Sequence, residues 1–196
     1  MAKIKVLQNG TKKDIILKNA AALFRKKGFK ATTVRELAES LGIEAPSLYN
    51  HIGSKVELLQ EICFAVAEDY TINMNSIIDS HVSAAKKMEA IIRFHVRKLS
   101  TDFDRVFVSD HEWKQLPKKK LEEFLMYRRN YEKHIVEIVA DGIEKKLLKN
   151  LLPGITVLTI LSAVRGLELT QRHKNEFSIE QLEDNMVQHL LNGIIK

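Results

Sequence analysis

The stretch from Thr33 to Leu58 reads TVRELAESLGIEAPSLYNHIGSKVEL and constrains this chain more than any other. Val34, Leu37, Ala38 and Leu41 recur at helical spacing and make one buried stripe. Thr33 and Glu36 stand three apart at its start, the pattern of a capping box. Gly42 closes this helix, and a second, short helix is expected from about Ala45 to His51, with Pro46 tolerated in its first turn. Two helices meeting so tightly need a small residue at the turn, where the chain often takes a positive φ. Leu48 and Ile52, four apart, pack inward. Ala45, Pro46, Ser47, Tyr49 and Asn50 are then left outward, on a short rod able to enter a duplex groove.

Charge reinforces that pattern. Residues 1–60 hold 11 Lys/Arg against 5 Asp/Glu, the whole of the net +6, while residues 61–196 hold 20 of each. A polyanion would be drawn to the segment carrying the helix-turn-helix pattern and not to the rest. The start MAKIKVLQNGTKK has lysines but no apolar run behind them, so no secretory signal is expected. No apolar run approaches the ~20 residues that span a bilayer. The single Cys63 leaves no partner for an internal disulfide and fits a reducing, cytoplasmic setting as a small buried apolar residue.

Helical patterning covers the rest of the chain. Thr11 with Asp14 starts a first helix, Ile16, Ala20, Leu23 and Phe24 give its buried face, and Gly28 ends it. Ser54 and Glu57 open a long helix reaching Asp79. Further helices are expected over 83–100, 105–115, 118–148, 154–173 and 179–195, with Pro117 and Pro153 marking starts and Ser178 with Gln181 capping the last. No alternating strand pattern or hairpin turn occurs. The expected fold is all-α: a three-helix head, residues 1–58, and a larger helical body, residues 59–196.

Over about residues 11–60 the chain resembles the TetR family of transcriptional repressors, and beyond that it is similar in helical layout. The resemblance implies that Thr33 caps the second helix and touches phosphate. It places the tyrosine of the family's L-Y-x-H/Y-F signature on Tyr49, a phosphate contact, with the next aromatic position on His51. The lysine after the recognition helix falls on Lys55, beside a helix start that also favours anions. Two positions depart from the pattern. Glu44 stands where Ser is common, a poorer cap that phosphate repels, and Ile52 replaces Phe as a conservative core change.

Thr33, Tyr49, His51 and Lys55 are therefore expected to position the head on the duplex backbone. Arg35, Ala45, Pro46, Ser47 and Asn50 are candidates for reading base edges, Asn50 toward adenine and Arg35 toward guanine. A solvated surface arginine is an equal reading of Arg35. In the body, Phe103, Phe107, His111, Trp113, Tyr127 and Tyr131 could line a ligand pocket, although an aromatic run at helical spacing also serves as plain core. The last two helices are wide in their apolar faces, and Leu158, Gly166, Leu182, Met186 and Leu190 are expected at a dimer interface. No metal site or cofactor is expected, because His111-Glu112 is followed by Gln115 where a zinc site would need a second histidine.

These readings converge on a homodimeric repressor of double-stranded operator DNA, released by a small molecule. The alternative is a helical ligand-binding or interaction protein without DNA binding, which leaves the basic head unexplained. An enzyme is not expected: the chain has no glycine-rich phosphate loop, no G-x-S-x-G elbow and no clear acid/base pair.

Overall fold

A computed structural model describes residues 11–169 and 176–195. The chain is all-α: α1 (Lys12–Lys27), α2 (Val34–Ser40), α3 (Ala45–Tyr49), α4 (Lys55–Asp79), α5 (Ala84–Thr101), α6 (Phe103–His111), α7 (Lys118–Glu144), α8 (Pro153–Gly166) and α9 (Ile179–Asn192), with a 3-10 turn at Trp113–Gln115. Among the described residues the one extended pairing is a lone antiparallel bridge between Leu148 and Ile195. No described helix is long and apolar enough to cross a membrane.

The caps form where the sequence places them. Thr11 with Asp14, Thr33 with Glu36 and Ser178 with Gln181 are full capping boxes. Ser54 accepts from the Glu57 amide at 3.1 Å at the start of α4. Each satisfies amides that an isolated helix start leaves without a partner.

The chain gathers into two compact units. Unit one holds residues up to Glu68 together with Phe103–Leu125. Unit two holds Asp69–Asp102 and the chain from Met126 onward. The packing thus does not follow a single cut after residue 58: the start of α4, all of α6 and the start of α7 join the first three helices. The core of unit one is built on Ile16, Ala20, Phe24, Leu37, Leu48, Leu58, Leu59 and Ile62, with Val108 and Phe124 from the later segment. Unit two packs Met74, Met88, Ile91, Ile92, Val96, Ile135, Val139, Val157, Ile160 and Leu191 into a second core. Each fully buried Leu or Ile contributes roughly 1.5–3 kcal/mol.

Several helix ends differ from the periodicity, the last helix among them, which stops at Asn192 and not at 195. The expected helix 105–115 instead begins at Phe103 and stops at His111, and Trp113–Gln115 tighten into a 3-10 turn. Pro117 disfavours the helical conformation at Leu116, which is extended with ψ 144°. The expected helix 118–148 ends at Glu144, since Lys146 takes φ 59° and Leu148 is drawn to Ile195. Helix α8 ends at Gly166; the expected extension to His173 falls in part, at 170–175, outside the described residues, as do the lysines of residues 1–10.

Close helix approach inside unit two is made at Gly142. A Cβ there would lie 2.7 Å from the Ala84 methyl and 2.7 Å from Leu148. Gly166, a place for close approach by sequence, is exposed, and a Cβ built there would meet nothing within 4 Å.

Candidate nucleic-acid interface

The recognition helix is a consequence of two buried residues. Leu48 is fully buried and Ile52 nearly so, which fixes the rotation of α3 against the unit-one core. Tyr49, one residue from Leu48, is therefore turned outward and is 54% exposed. Pro46, Asn50 and His51 are exposed too, while Ala45 and Ser47 are half-buried. The turn before α3 depends on Gly42, whose φ of 68° lies in the left-handed region. Its amide donates to the Glu39 carbonyl, and that of Ile43 to Ala38, so the chain reverses with its polar groups satisfied. Glu44 stands at the N-cap of α3 and makes no side-chain cap bond.

On α2, Thr33 and Arg35 are exposed. The Thr33 amide and hydroxyl both donate to Oε2 of Glu36, at 2.8 and 3.0 Å. Lys27 also donates to Glu36, at 2.6 Å. The Lys27 bond, then those from Thr33, pull the Glu36 carboxyl down to about 2. It is thus a fixed negative charge at the start of α2. Arg35 is directed along its own helix to Glu39, 3.0 Å away at i+4. With the arginine side chain 85% exposed, this bond is weak and exchangeable.

Lys55, at the start of α4, is engaged by the backbone of an earlier turn. Its ammonium donates to the carbonyls of Phe29 (2.8 Å), Thr32 (2.7 Å) and Lys30 (3.4 Å), and it stands 4.4 Å from the centre of the Phe29 ring. These carbonyls belong to the turn that joins α1 to α2. The turn begins at Gly28 with φ 84° and ψ 150°, a conformation that favours glycine. The Thr32 hydroxyl, itself buried, closes it by donating to the Gly28 carbonyl at 2.9 Å. From α6's far end, Glu112 accepts the Phe29 amide at 3.1 Å. Arg25, near the end of α1, pairs with Asp104 and stacks over Phe103.

The six residues read as a ligand pocket are drawn from both units. Phe103, Phe107, His111 and Trp113 belong to unit one, Tyr127 and Tyr131 to unit two. Along α6, Phe103 and Phe107 have ring centres 5.8 Å apart, and the Phe107 and His111 rings stack at 4.2 Å. Tyr131 meets Tyr70 (5.3 Å) and His95 (5.6 Å), and its hydroxyl lies 2.8 Å from His95 Nε2. Burial pushes His95 down to about 3, helped by Arg165, and holds Tyr131 well above its ordinary value. Both are neutral across the physiological range. Tyr127 is 37% exposed.

Of the residues expected at a dimer interface, Leu158 is 55% exposed, beside Ile155 at 58%. Leu182, Met186 and Leu190 on α9 are partly buried against the unit-two core. Sequence reasoning passed over the ion pair that seats α9. Glu183, nearly buried, accepts from Arg97 Nε at 2.9 Å and Nη2 at 3.0 Å, and Arg93 pairs with Asp184 at 2.7 Å. The signal was present as a carboxylate within the apolar stripe of the last helix, four residues before Val187. Also missed was Tyr70, which the topology brings against His95 and Tyr131.

Residues 16–62 match the model described as bacterial regulatory proteins, tetR family, and residues 81–194 match the tetracyclin repressor-like C-terminal domain. The HTH-type transcriptional repressor KstR2 of Mycolicibacterium smegmatis is 27% identical over 137 residues, covering 69% of this chain and 67% of that protein. The structure of the ketosteroid transcriptional regulator KstR2 of Mycobacterium tuberculosis superposes with a TM-score of 0.90 at 22% identity, over 96% of this chain and 97% of that one. AibR, solved in complex with isovaleryl coenzyme A and operator DNA, gives a TM-score of 0.78 at 20% identity, over 90% of this chain and 96% of that one. With residues 16–62 and 81–194 both matched, the latter alone more than half of the chain, the chain belongs to the TetR family of bacterial transcriptional regulators.

Proposed function

We propose that this chain is a cytoplasmic homodimeric repressor that binds operator DNA through α2 and α3 and leaves it when unit two takes up a small molecule. The observation that carries the reading is the outward row Tyr49, Asn50 and His51 beside the buried pair Leu48 and Ile52, within residues 1–60, which hold all the net positive charge. Tyr49 and His51 contact the duplex backbone, and Asn50 with Pro46 and Ser47 faces base edges. Two heads in a symmetric dimer match half-sites about 34–36 Å apart. The exposed Ile155 and Leu158 on α8, with the α9 stripe, supply the surface for the second copy.

Release follows from differential affinity: a ligand that prefers a conformation with badly spaced heads weakens DNA binding by that preference. The neighbour AibR was solved with both an acyl thioester and operator DNA, which supports a regulator that answers to a small molecule. Within unit two, Tyr131 and Tyr127 remain our candidates for that contact, with Tyr70 and His95 beside Tyr131.

The test is retention of duplex DNA at low salt, with affinity falling steeply as salt rises. A helical adaptor or an enzyme would retain little DNA and show little salt dependence. Selecting bound fragments from the source genome would then give the operator.

A further inference from the structure

We propose that Lys55 is a positioning residue for the DNA-binding head, acting through the turn between α1 and α2 and not through a bond to phosphate. The inference rests on the DNA-binding reading above and concerns how the head is built for it. An ammonium has three protons to donate and no acceptor. Here three carbonyls lie within reach, those of Phe29, Lys30 and Thr32, and the Phe29 ring covers a further side. A phosphate oxygen would have to displace one of them.

The turn has few other ways to satisfy its carbonyls. Gly28 C=O is taken by the Thr32 hydroxyl, and the Thr32 amide points to the same atom at 3.3 Å. The next carbonyls along the turn look to Lys55, which reaches back 23 to 26 residues in sequence to meet them. Removing that donor leaves partly buried carbonyls without a partner, a loss the turn can recover only by moving. Thr33 follows directly and carries the N-cap of α2, and α2 in turn carries the glycine turn into α3. The ammonium thus sets where Thr33 stands, and the duplex senses Lys55 only through it.

Two experiments separate this role from a phosphate contact. The first leaves the chain unaltered: limited reductive methylation of the lysines, read by mass spectrometry, alone and with a random-sequence duplex of about 30 base pairs at low salt. Lys30, exposed on the same turn, is the reactive control. Lys55 should react slowly in both states. If it reacts readily in the free protein and is protected only by DNA, it is a phosphate contact and the proposal is overturned. The second is Lys55→Met, with Thr33→Ala and the double variant. Lys55→Met should weaken DNA binding on the order of tenfold, the scale of one charge-assisted bond. The slope of log affinity against log salt should stay as in the unaltered chain. A slope shallower by about 0.9 would mark a lost phosphate contact. The double variant should lose less than the product of the two single losses, because both act through one group. Fully independent losses, or unchanged affinity, would overturn the proposal. Should Lys55→Met not fold, the methylation pattern decides alone. Failure of the broader reading shows differently, as an unaltered chain that retains no DNA.

Discussion

The Tyr131 hydroxyl lies 2.8 Å from Nε2 of His95, in a part-buried group that includes the Tyr70 ring. Burial holds the His95 imidazole neutral, at about 3 against an ordinary 6.5. The unfolded chain therefore binds a proton that the folded one refuses. The stability due to this group is full above pH 6.5 and is lost as pH falls from there toward 3. Between pH 6.5 and 5, before the carboxylates take part, the loss approaches ~1.4 kcal/mol per pH unit. Urea unfolding at several pH values measures it. In His95→Phe the acid loss should flatten over that window, and an unchanged slope would show that the imidazole is not the group responsible.

Glu183 and Arg97 make a two-pronged pair with the carboxylate nearly buried. Glu183→Gln should destabilise unit two by about 1–2 kcal/mol, since the arginine is more than half exposed and can turn to water. Asp184→Asn, in an exposed pair with Arg93, should cost under ~1 kcal/mol. Thermal unfolding of the two variants side by side checks the ranking. An equal cost would mean that burial of Glu183 contributes nothing to its pairing.

Much of this molecule could be read from its residues, and the unread parts share a cause. Capping pairs are local: Thr33 with Glu36 and Ser178 with Gln181 are three apart, and the structure forms them. The rotation of α3 followed from Leu48 and Ile52, again four apart. By contrast, Lys55 meets carbonyls more than 20 residues back, Glu183 meets an arginine 86 residues away, and Glu112 reaches the Phe29 amide across 83. Periodicity carries no information on such partners. The aromatic residues between 103 and 131 fall in two units, a division that no spacing rule displays.

The two glycines of positive φ in the head should respond differently to alanine. Gly42 has φ 68° and open space around it, so Gly42→Ala carries backbone strain alone, about 1–2 kcal/mol. Gly28 has φ 84° with ψ 150°, where almost any side chain is strained by ~1–3 kcal/mol, and a Cβ would meet Glu112 at 3.5 Å. Gly28→Ala should therefore be the more damaging of the two, and Gly42→Asn should recover part of the Gly42 loss. Denaturant midpoints compare them directly. Gly42→Ala proving the worse would remove the argument from ψ at Gly28.

Tyr49 offers the sharpest check on the DNA face, because it is exposed and can change without touching the core. Tyr49→Phe removes one neutral hydroxyl and keeps the ring. DNA affinity should fall by roughly 1.5–3 kcal/mol, the net worth of one hydrogen bond to a charged phosphate, while the melting temperature stays. The salt slope should stay too, since no charge leaves the interface. Asn50→Ala should instead alter which sequences are preferred, with affinities across a randomised duplex library diverging from the unaltered chain. If both variants lose affinity evenly across that library, Asn50 is a backbone contact like Tyr49, and base reading falls to Pro46, Ser47 and Arg35. In that case Arg35 must first leave Glu39, its partner at i+4, and Glu39→Ala should strengthen binding to sites with guanine at the contacted position.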